Sequence, residues 1–418
     1  MTRILAVLPD PWMALCFAHA LGPDLDGVVS YGGDDWRARF DALDMKAFLL
    51  PPPTEGTTAG LLADPDAAAF IARSPAKLLC FKPSRRHLDR ARELGAELAL
   101  ADPTLSQGLE NKLALRALAA EAGIPTGIAE GVPCALPPQA SVRVKETTTW
   151  SDVLRAVGMT EGEVVVQSPR GYMGRKTWAV GDADGWEALR EELEGRPCKV
   201  TRMVSGRPGT VNAVVDAEGT ILCSAPIVQV TGEPALTPWE LGSCGNDFTW
   251  RPEPHPADGP YTLCRKLGPA LAARGYRGHF GIDIVVEDTD QGPVSWLIEI
   301  NPRLTASMAL YAVFRPVLLR AHLAVLDGSS LRSTGELPPV EAGQLIAQHG
   351  GQTTTTPLTP SQTGYRLGQA SLPVDEPLTW PGVTTEVQPG GKRGRIVARG
   401  PIVNADGTYA LRLPDSVD

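Results

Sequence analysis

The sequence predicts an α/β (α+β) protein built in three parts, and three observations predict it. Over residues 1–105 short apolar strands alternate with helical stretches; between about 106 and 330 a strand–turn–strand segment gathers polar side chains on one face; from about 331 to 418 the composition shifts toward Gly, Pro and Thr. Alternation of strands and helices argues a small parallel sheet with helical crossovers. The Gly/Pro-rich end, with turn signals at Gly390–Gly391 and Asp406–Gly407, argues a small β-rich appendage.

In the first part, Ile4–Leu8, Gly27–Ser30, Ala47–Leu50, Leu78–Phe81 and Glu97–Ala101 read as strands. Phe17–Leu21, Asp66–Arg73 and His87–Leu94 read as helices. No Gly-x-Gly-x-x-Gly follows the first strand, so a dinucleotide site is not expected there.

In the second part, Glu110–Pro125 reads as a helix closed by Gly123 and Pro125. Glu163–Val180 then flanks a loop with Gly171 and Gly174 and the bases Arg170, Arg175 and Lys176. Backbone N–H groups in such a loop can cradle phosphate oxygens, and the glycines allow close approach. Cys198–Gly206 reads as a further strand, and Thr210–Val215 pairs with Thr220–Ser224 across Asp216–Gly219. Gln229 and Gly242–Asp247 follow as loop candidates near a site. Tyr261–Arg274 reads as a helix, and Ser307–Leu326 as a single buried one.

The segment HFGIDIVVE (His279–Glu287), followed by WLIEINPR (Trp296–Arg303), carries the most information. Side chains alternate along a strand, so Glu299 and Asn301 share a face. A hairpin centred near Gln291 sets Asp283 opposite Glu299 and leaves Ile282, Ile284, Val286, Trp296, Ile298 and Ile300 for burial. Like charges directly opposite one another destabilise paired strands unless a cation lies between them. Two carboxylates and an amide oxygen suit Mg²⁺, with positions left for phosphate oxygens and water. Arg303 adds a fixed positive charge beside that set, and neighbouring His279 is a further candidate for ligand contact.

A net charge of −9 argues against nucleic acid as the main partner. No apolar run approaches the ~20 residues of a membrane span, and the early Pro9 and Pro11 read as ending a first strand rather than a signal peptide. The 7 cysteines are scattered without a Cys-x-x-Cys pair, which fits reduced thiols in a cytoplasmic protein; the 6 histidines show no metal-ligand spacing.

Glu299-Ile-Asn301-Pro-Arg303 after a Gly281-Ile-Asp283 strand resembles the metal-binding signature of the ATP-grasp ligases. The resemblance covers roughly residues 106–330 and implies an ATP-grasp fold preceded by a Rossmann-like domain. It implies that Asp283, Glu299 and Asn301 hold one or two Mg²⁺ ions (Mn²⁺ able to substitute) against ATP, and that Arg303 contacts the transferred phosphoryl group. Lys112 matches a base that reaches the ATP phosphates, and Gly171 and Gly174 match the glycine-rich loop that closes over them. Two positions depart from the pattern. The lysine usual at the end of the strand before that loop is Gln167, leaving Lys145 or Lys176 to supply the charge; the acid usual at the hinge strand is replaced by Thr201 and Arg202. The resemblance further implies a carboxylate–amine ligase acting on amino acids or a peptide through an acyl phosphate, similar to stand-alone peptide ligases of secondary metabolism, with small-molecule carboxylate and amine partners and subunit pairing into a homodimer. Another ATP-grasp reaction (kinase or carboxylase-type) and a non-catalytic nucleotide-binding scaffold are the alternatives; no Ala/Val-Met-Lys-Met biotinylation segment is present.

Overall fold

The first strand, β1 (Arg3–Val7), lies at the middle of a five-stranded parallel sheet with β2 (Gly27–Tyr31), β3 (Ala47–Leu50), β4 (Ala76–Leu79) and β5 (Ala96–Leu98), in the order β3-β2-β1-β4-β5. Leu5, Ala6 and Val7 are fully buried, as central parallel strands covered by helices on both faces must be. The helices are α1 (Pro11–Leu21), α2 (Asp34–Asp41), α3 (Thr58–Ala63), α4 (Pro65–Ile71) and α5 (Arg85–Glu93). Helix α1 starts at Pro11 rather than Phe17, because the Asp10 side chain accepts from Trp12 N and Met13 N and Pro11 suits the first helical position. The computed structural model describes residues 3–53, 56–73, 75–171, 174–234, 236–249, 258–347 and 402–403, together with the strand backbone at 364–367, 370–373, 386–387 and 394–399.

The helix expected over Glu110–Pro125 is broken. It begins as α6 (Pro103–Leu109), is interrupted at Glu110 and Asn111, and resumes through a 3₁₀ turn at Lys112–Ala114 into α7 (Leu115–Glu121). Asn111 leaves the helical region at φ −66°, ψ 114°, and its side chain caps Leu113 N. The break sets Lys112 in the first turn of a new helix.

After the short β6 (Cys134–Ala135), an antiparallel sheet forms from β7 (Gln139–Arg143), β8 (Val164–Gln167), β9 (Thr177–Val180) and β10 (Pro197–Arg202), in the order β7-β10-β8-β9. Helices α8 (Trp150–Ala156) and α9 (Ala183–Leu193) cover one face. Val164, Val166, Cys198 and Val200 pack there with Val153, Trp186 and Leu189. By the period of two, Gln167, Lys199 and Thr201 are sent to the opposite face.

The large sheet holds β11 (Arg207–Val215), β12 (Ile221–Cys223), β13 (Ile227–Thr231), β14 (Ser243–Asp247), β15 (Gly278–Thr289), β16 (Gly292–Asn301), β17 (Gly335–Glu336) and β18 (Ala342–Ala347). Gly242–Asp247 was expected as a loop, but β14 pairs with both β13 and β18. Helix α10 (Asp258–Ala273) lies against β11 and β12. Past residue 330, β18 continues this sheet by pairing with β14 and with Gly394–Arg399, and the Ile402 and Val403 N–H groups donate to Asp247 Oδ2, while Gly364–Leu367 and Ala370–Pro373 form a separate two-stranded sheet. The turns expected at Gly390–Gly391 and Asp406–Gly407 lie outside the described residues.

One expected helix is two. α11 (Ala306–Phe314) and α12 (Pro316–Leu326) meet at a 112° bend, because Pro316 has no N–H for a continuing helix and its ring clashes with the preceding turn. Both pack into a core shared with β1 and α1. Among the described residues no single helix is long and apolar enough to cross a membrane.

The bend places His322 of α12 between two backbone groups. Its Nδ1 accepts from His279 N at 2.9 Å, so Nε2 carries the proton and donates to Ala99 O at 3.2 Å. Burial pushes its pKa down to about 4. Protonating Nδ1 would set a donor against a donor. The unfolded chain takes up that proton near pH 6.5 while the folded one does not, so stability is complete above pH 6.5 and is lost as pH falls toward 4. Between pH 6.5 and pH 5, denaturant melts should therefore show the unmodified chain losing about 1–2 kcal/mol more than the His322→Asn variant; equal losses would place the acid sensitivity elsewhere.

Candidate functional site

The hairpin β15–β16 turns one residue-step differently from the simple alternation. Near the turn Thr289 pairs with Gly292, and this register runs up to Ile284 with Leu297. Then the register shifts, and Asp283 pairs with Glu299. Ile298 is the extra residue of a β-bulge. Asp283 does face Glu299, as the spacing predicts, and Asn301 follows on the same face. The apolar set is corrected: Leu297 joins Ile282, Ile284, Val286 and Ile300 in the core beneath, whereas Trp296 and Ile298 lie on the other side with Ala135, Val294 and Val204. Without the bulge, parity would send Glu299 into the apolar face.

Around this pair the chain gathers three cations. Lys112, 6 % exposed, forms an ion pair with Glu299, and its N–H donates to Pro169 O at 3.1 Å, tying the broken helix to the loop after β8. Arg303 donates from Nε to Glu110 Oε1 at 2.8 Å and from a terminal nitrogen to Asn301 Oδ1 at 2.9 Å, and its guanidinium stands 5.2 Å from the Phe81 ring centre. Asn301 Nδ2 in turn donates to Asp283 Oδ2 at 3.0 Å. Lys199, 2 % exposed, reaches across from β10 and donates to Ile298 O at 2.8 Å, the carbonyl of the bulged residue.

The electrostatics follow from this crowding. Burial and the neighbouring Glu299 push the Asp283 carboxyl up to about 6, against the opposing pull of Lys112 and the hydrogen bonds from Thr210 and Asn301. Burial, with Lys112 close by, pushes Lys199 down to about 7. Burial raises Glu110, but Arg303 and Lys82 outweigh it and hold this carboxyl below its usual range.

Of the residues singled out from sequence, Lys112, Asp283, Glu299, Asn301 and Arg303 form one connected cluster of ion pairs and hydrogen bonds, and Gln167 lies across the ladder from Lys199, which reaches the hairpin at Ile298. Gly171 and Gly174 lie in the β8–β9 connection beside it. Gly174 has φ +79°, and a Cβ there would come within 2.5 Å of Gly242 Cα, so the loop rests directly on the backbone before β14. Arg175 stands 4.7 Å over the Trp239 ring on that same side. Four candidates remain. Lys145 and Lys176 are exposed. Arg202 makes a two-point ion pair with Glu287, which also accepts from Trp296 Nε1 at 2.8 Å. His279 is buried, with Nδ1 donating to Arg303 O at 2.7 Å, which ties it to the chain at Arg303.

Two residues escaped the sequence reading. Glu110 is visible only as a helix residue until the break turns it onto Arg303. Lys199 could have been found by parity, since Val200 and Cys198 are the apolar partners of an amphipathic strand whose other face it occupies.

The donor set suits a hard divalent cation. Among the described residues no three His, Cys, Asp or Glu side chains gather, so Asp283, Glu299 and Asn301 supply two carboxylates and one amide, which favours an ion that completes its shell with phosphate and water. The raised Asp283 pKa means the metal-free fold is strained by its own charge above the usual carboxylate range, and this cost is complete above pH 6. Asp283→Asn should therefore stabilise the metal-free protein at pH 7.5 by about 1–3 kcal/mol, with the gain vanishing near pH 4; thermal melts in chelator at both pH values check this, and destabilisation at pH 7.5 contradicts it.

No family model and no curated protein sequence matches the chain. Solved structures do. The biotin carboxylase of Campylobacter jejuni, in complex with β,γ-ATP, is 11 % identical with a TM-score of 0.62, covering 96 % of this chain and 87 % of that one. The biotin carboxylase domain of Hydrogenobacter thermophilus 2-oxoglutarate carboxylase, with MgADP, ADP and bicarbonate, is 12 % identical at a TM-score of 0.59, covering 96 % and 86 %. Phosphoribosylamine–glycine ligase of Thermotoga maritima is 14 % identical at 0.58, covering 94 % and 91 %. This likeness shows that the chain has the ATP-grasp fold of these enzymes.

Proposed function

We propose that the chain is a Mg²⁺- and ATP-dependent carboxylate–amine ligase that joins amino acids or a peptide through an acyl phosphate. The observation that carries this reading is the register pair Asp283–Glu299 with Asn301 beside it and Lys112, Lys199 and Arg303 around it. Nucleotides and MgADP in the similar structures support it, as does the glycine ligase among them.

Asp283, Glu299 and Asn301 would hold Mg²⁺, which supplies charge neutralisation between the phosphates of ATP. Lys112 is placed to exchange its pairing with Glu299 for a phosphate oxygen when the ion arrives. Arg303, fixed by Glu110 and Asn301, presents its remaining N–H groups to the oxygens of the transferred phosphoryl group. A substrate carboxylate oxygen attacks the γ-phosphorus, the bond to the β–γ bridging oxygen breaks, and ADP leaves with that electron pair. The amine then attacks the acyl carbon, the C–O bond to phosphate breaks, and the amine gives up a proton to solvent as phosphate departs. No protein nucleophile takes part; the work is positioning and electrostatic stabilisation.

Purified protein with Mg·ATP and pairs of amino acids should release ADP and phosphate only when both an acid and an amine are present. Release with a single acceptor indicates a kinase, and AMP with pyrophosphate rules out the acyl-phosphate route. Glu299→Gln should lower turnover at least a hundredfold. It should also cost about 1–3 kcal/mol, because it strips buried Lys112 of its carboxylate; near-normal turnover would remove the metal assignment.

A further inference from the structure

The strand-end position held by Gln167 is one where ATP-grasp proteins usually place a lysine, and the exposed Lys145 and Lys176 do not fill it. Directly across the ladder, Lys199 of β10 is the register partner of Gln167. Partners on antiparallel strands project to the same face about 5 Å apart, well within the reach of a lysine side chain. Lys199 is 2 % exposed, and among the described residues it has no carboxylate within ion-pair distance; its hydrogen bond is to the Ile298 carbonyl. A buried lysine with one neutral hydrogen-bond acceptor and no ion-pair partner is a costly arrangement unless a ligand completes it.

A second observation points to a ligand on this same face. Thr201, two residues on, pairs in register with Gln139 of β7. Thr201 Oγ1 and both amide atoms of Gln139 are buried without a hydrogen-bond partner, and the two residues are 4 % and 7 % exposed. The face of β10 that looks onto the hairpin thus offers, in sequence, an anion site and then unfilled polar groups.

We propose that Lys199 is the phosphate-binding lysine of this cleft, standing in from the neighbouring strand for the one absent at Gln167, and that its ligand is a nucleoside polyphosphate lying along β10 with its phosphates toward Lys112. This rests on the nucleotide-dependent reading above and adds to it the residue that holds the phosphates.

Calorimetric titration with Mg·ADP and with adenosine, on the full chain and on Lys199→Gln, Gln167→Lys and the double variant, tests it. Wild-type protein that fails to bind Mg·ADP overturns the nucleotide reading itself. Given wild-type binding, Lys199→Gln should weaken Mg·ADP tenfold or more while leaving adenosine affinity within about threefold. The double variant, which moves the charge back across the ladder, should recover Mg·ADP affinity to within about threefold of wild type. Unchanged Mg·ADP affinity in Lys199→Gln overturns the assignment. So does an equal loss for adenosine and Mg·ADP, which marks a structural role. Should Lys199→Gln alone fail to fold, the double variant decides: a folded double variant that binds Mg·ADP as wild type does supports the assignment, and one that does not bind it overturns it.

Discussion

The site depends on a single extra residue. A two-residue turn at Asp290–Gln291 fixes the hairpin register so that continued regular pairing would put Asp283 opposite Ile298 and turn Glu299 into the apolar layer. The bulge at Ile298 advances β16 by one residue and reverses its parity for the last three positions. Everything apolar before the bulge and everything polar after it is consistent with that reversal: Leu297 goes down, Glu299 and Asn301 come up. The bulge also leaves the Ile298 carbonyl outside the ladder, where Lys199 takes it. One backbone irregularity therefore creates the acidic pair and anchors a cation of the opposing sheet.

Such a pair cannot stand alone in a half-buried cleft, and the surrounding elements are bent to serve it. Lys112 reaches Glu299 because Asn111 interrupts a helix; Arg303 is fixed because the same interruption turns Glu110 toward it, with Lys82 sharing the Glu110 carboxylate at 2.6 Å. Replacing Asn111 with a strong helix former would join α6 to α7 and rotate both acid and base away. Burial of this many charges is seldom a stability device, since desolvation offsets much of the attraction. The arrangement makes sense as a cradle whose charges are to be redistributed when a cation and polyanion enter together.

How much was legible in the sequence follows from these details. That Glu299 and Asn301 share a face was legible from the period of two, but Asp283 meets Glu299 only through the bulge, which that period does not announce. The assignment of Trp296 and Ile298 to the core was not, because a bulge has no signature in hydrophobic alternation. The parallel sheet was legible from its apolar runs, whereas α2 was hidden by a polar sequence, DDWRARFD, that buries only Phe40. The long helix over Ser307–Leu326 was misread because its apolar character continues unbroken through Pro316, and only the proline itself marks the bend. Arg202 reads as a ligand contact from its place in the hinge strand, but the side chain has a better partner in Glu287 near the turn end of β15, a pairing that sequence separation conceals.

Lys199 illustrates a more general constraint. What a polyanion requires is positive charge at a point in space, and on a pleated antiparallel sheet that point is equally reachable from either of two directly paired positions. Position-by-position reading treats Gln167 as a loss, because it follows one strand at a time. Reading across the ladder treats Gln167 and Lys199 as a single unit whose charge resides on the inner strand β10 rather than on its neighbour β8. The inner strand is the more confined of the two, hydrogen-bonded on both sides and covered by the hairpin, so a lysine there loses less freedom on meeting a phosphate and is held at a fixed distance from Glu299. The cost is a buried lysine, and the Ile298 carbonyl freed by the bulge, which accepts from it, is what makes that cost tolerable.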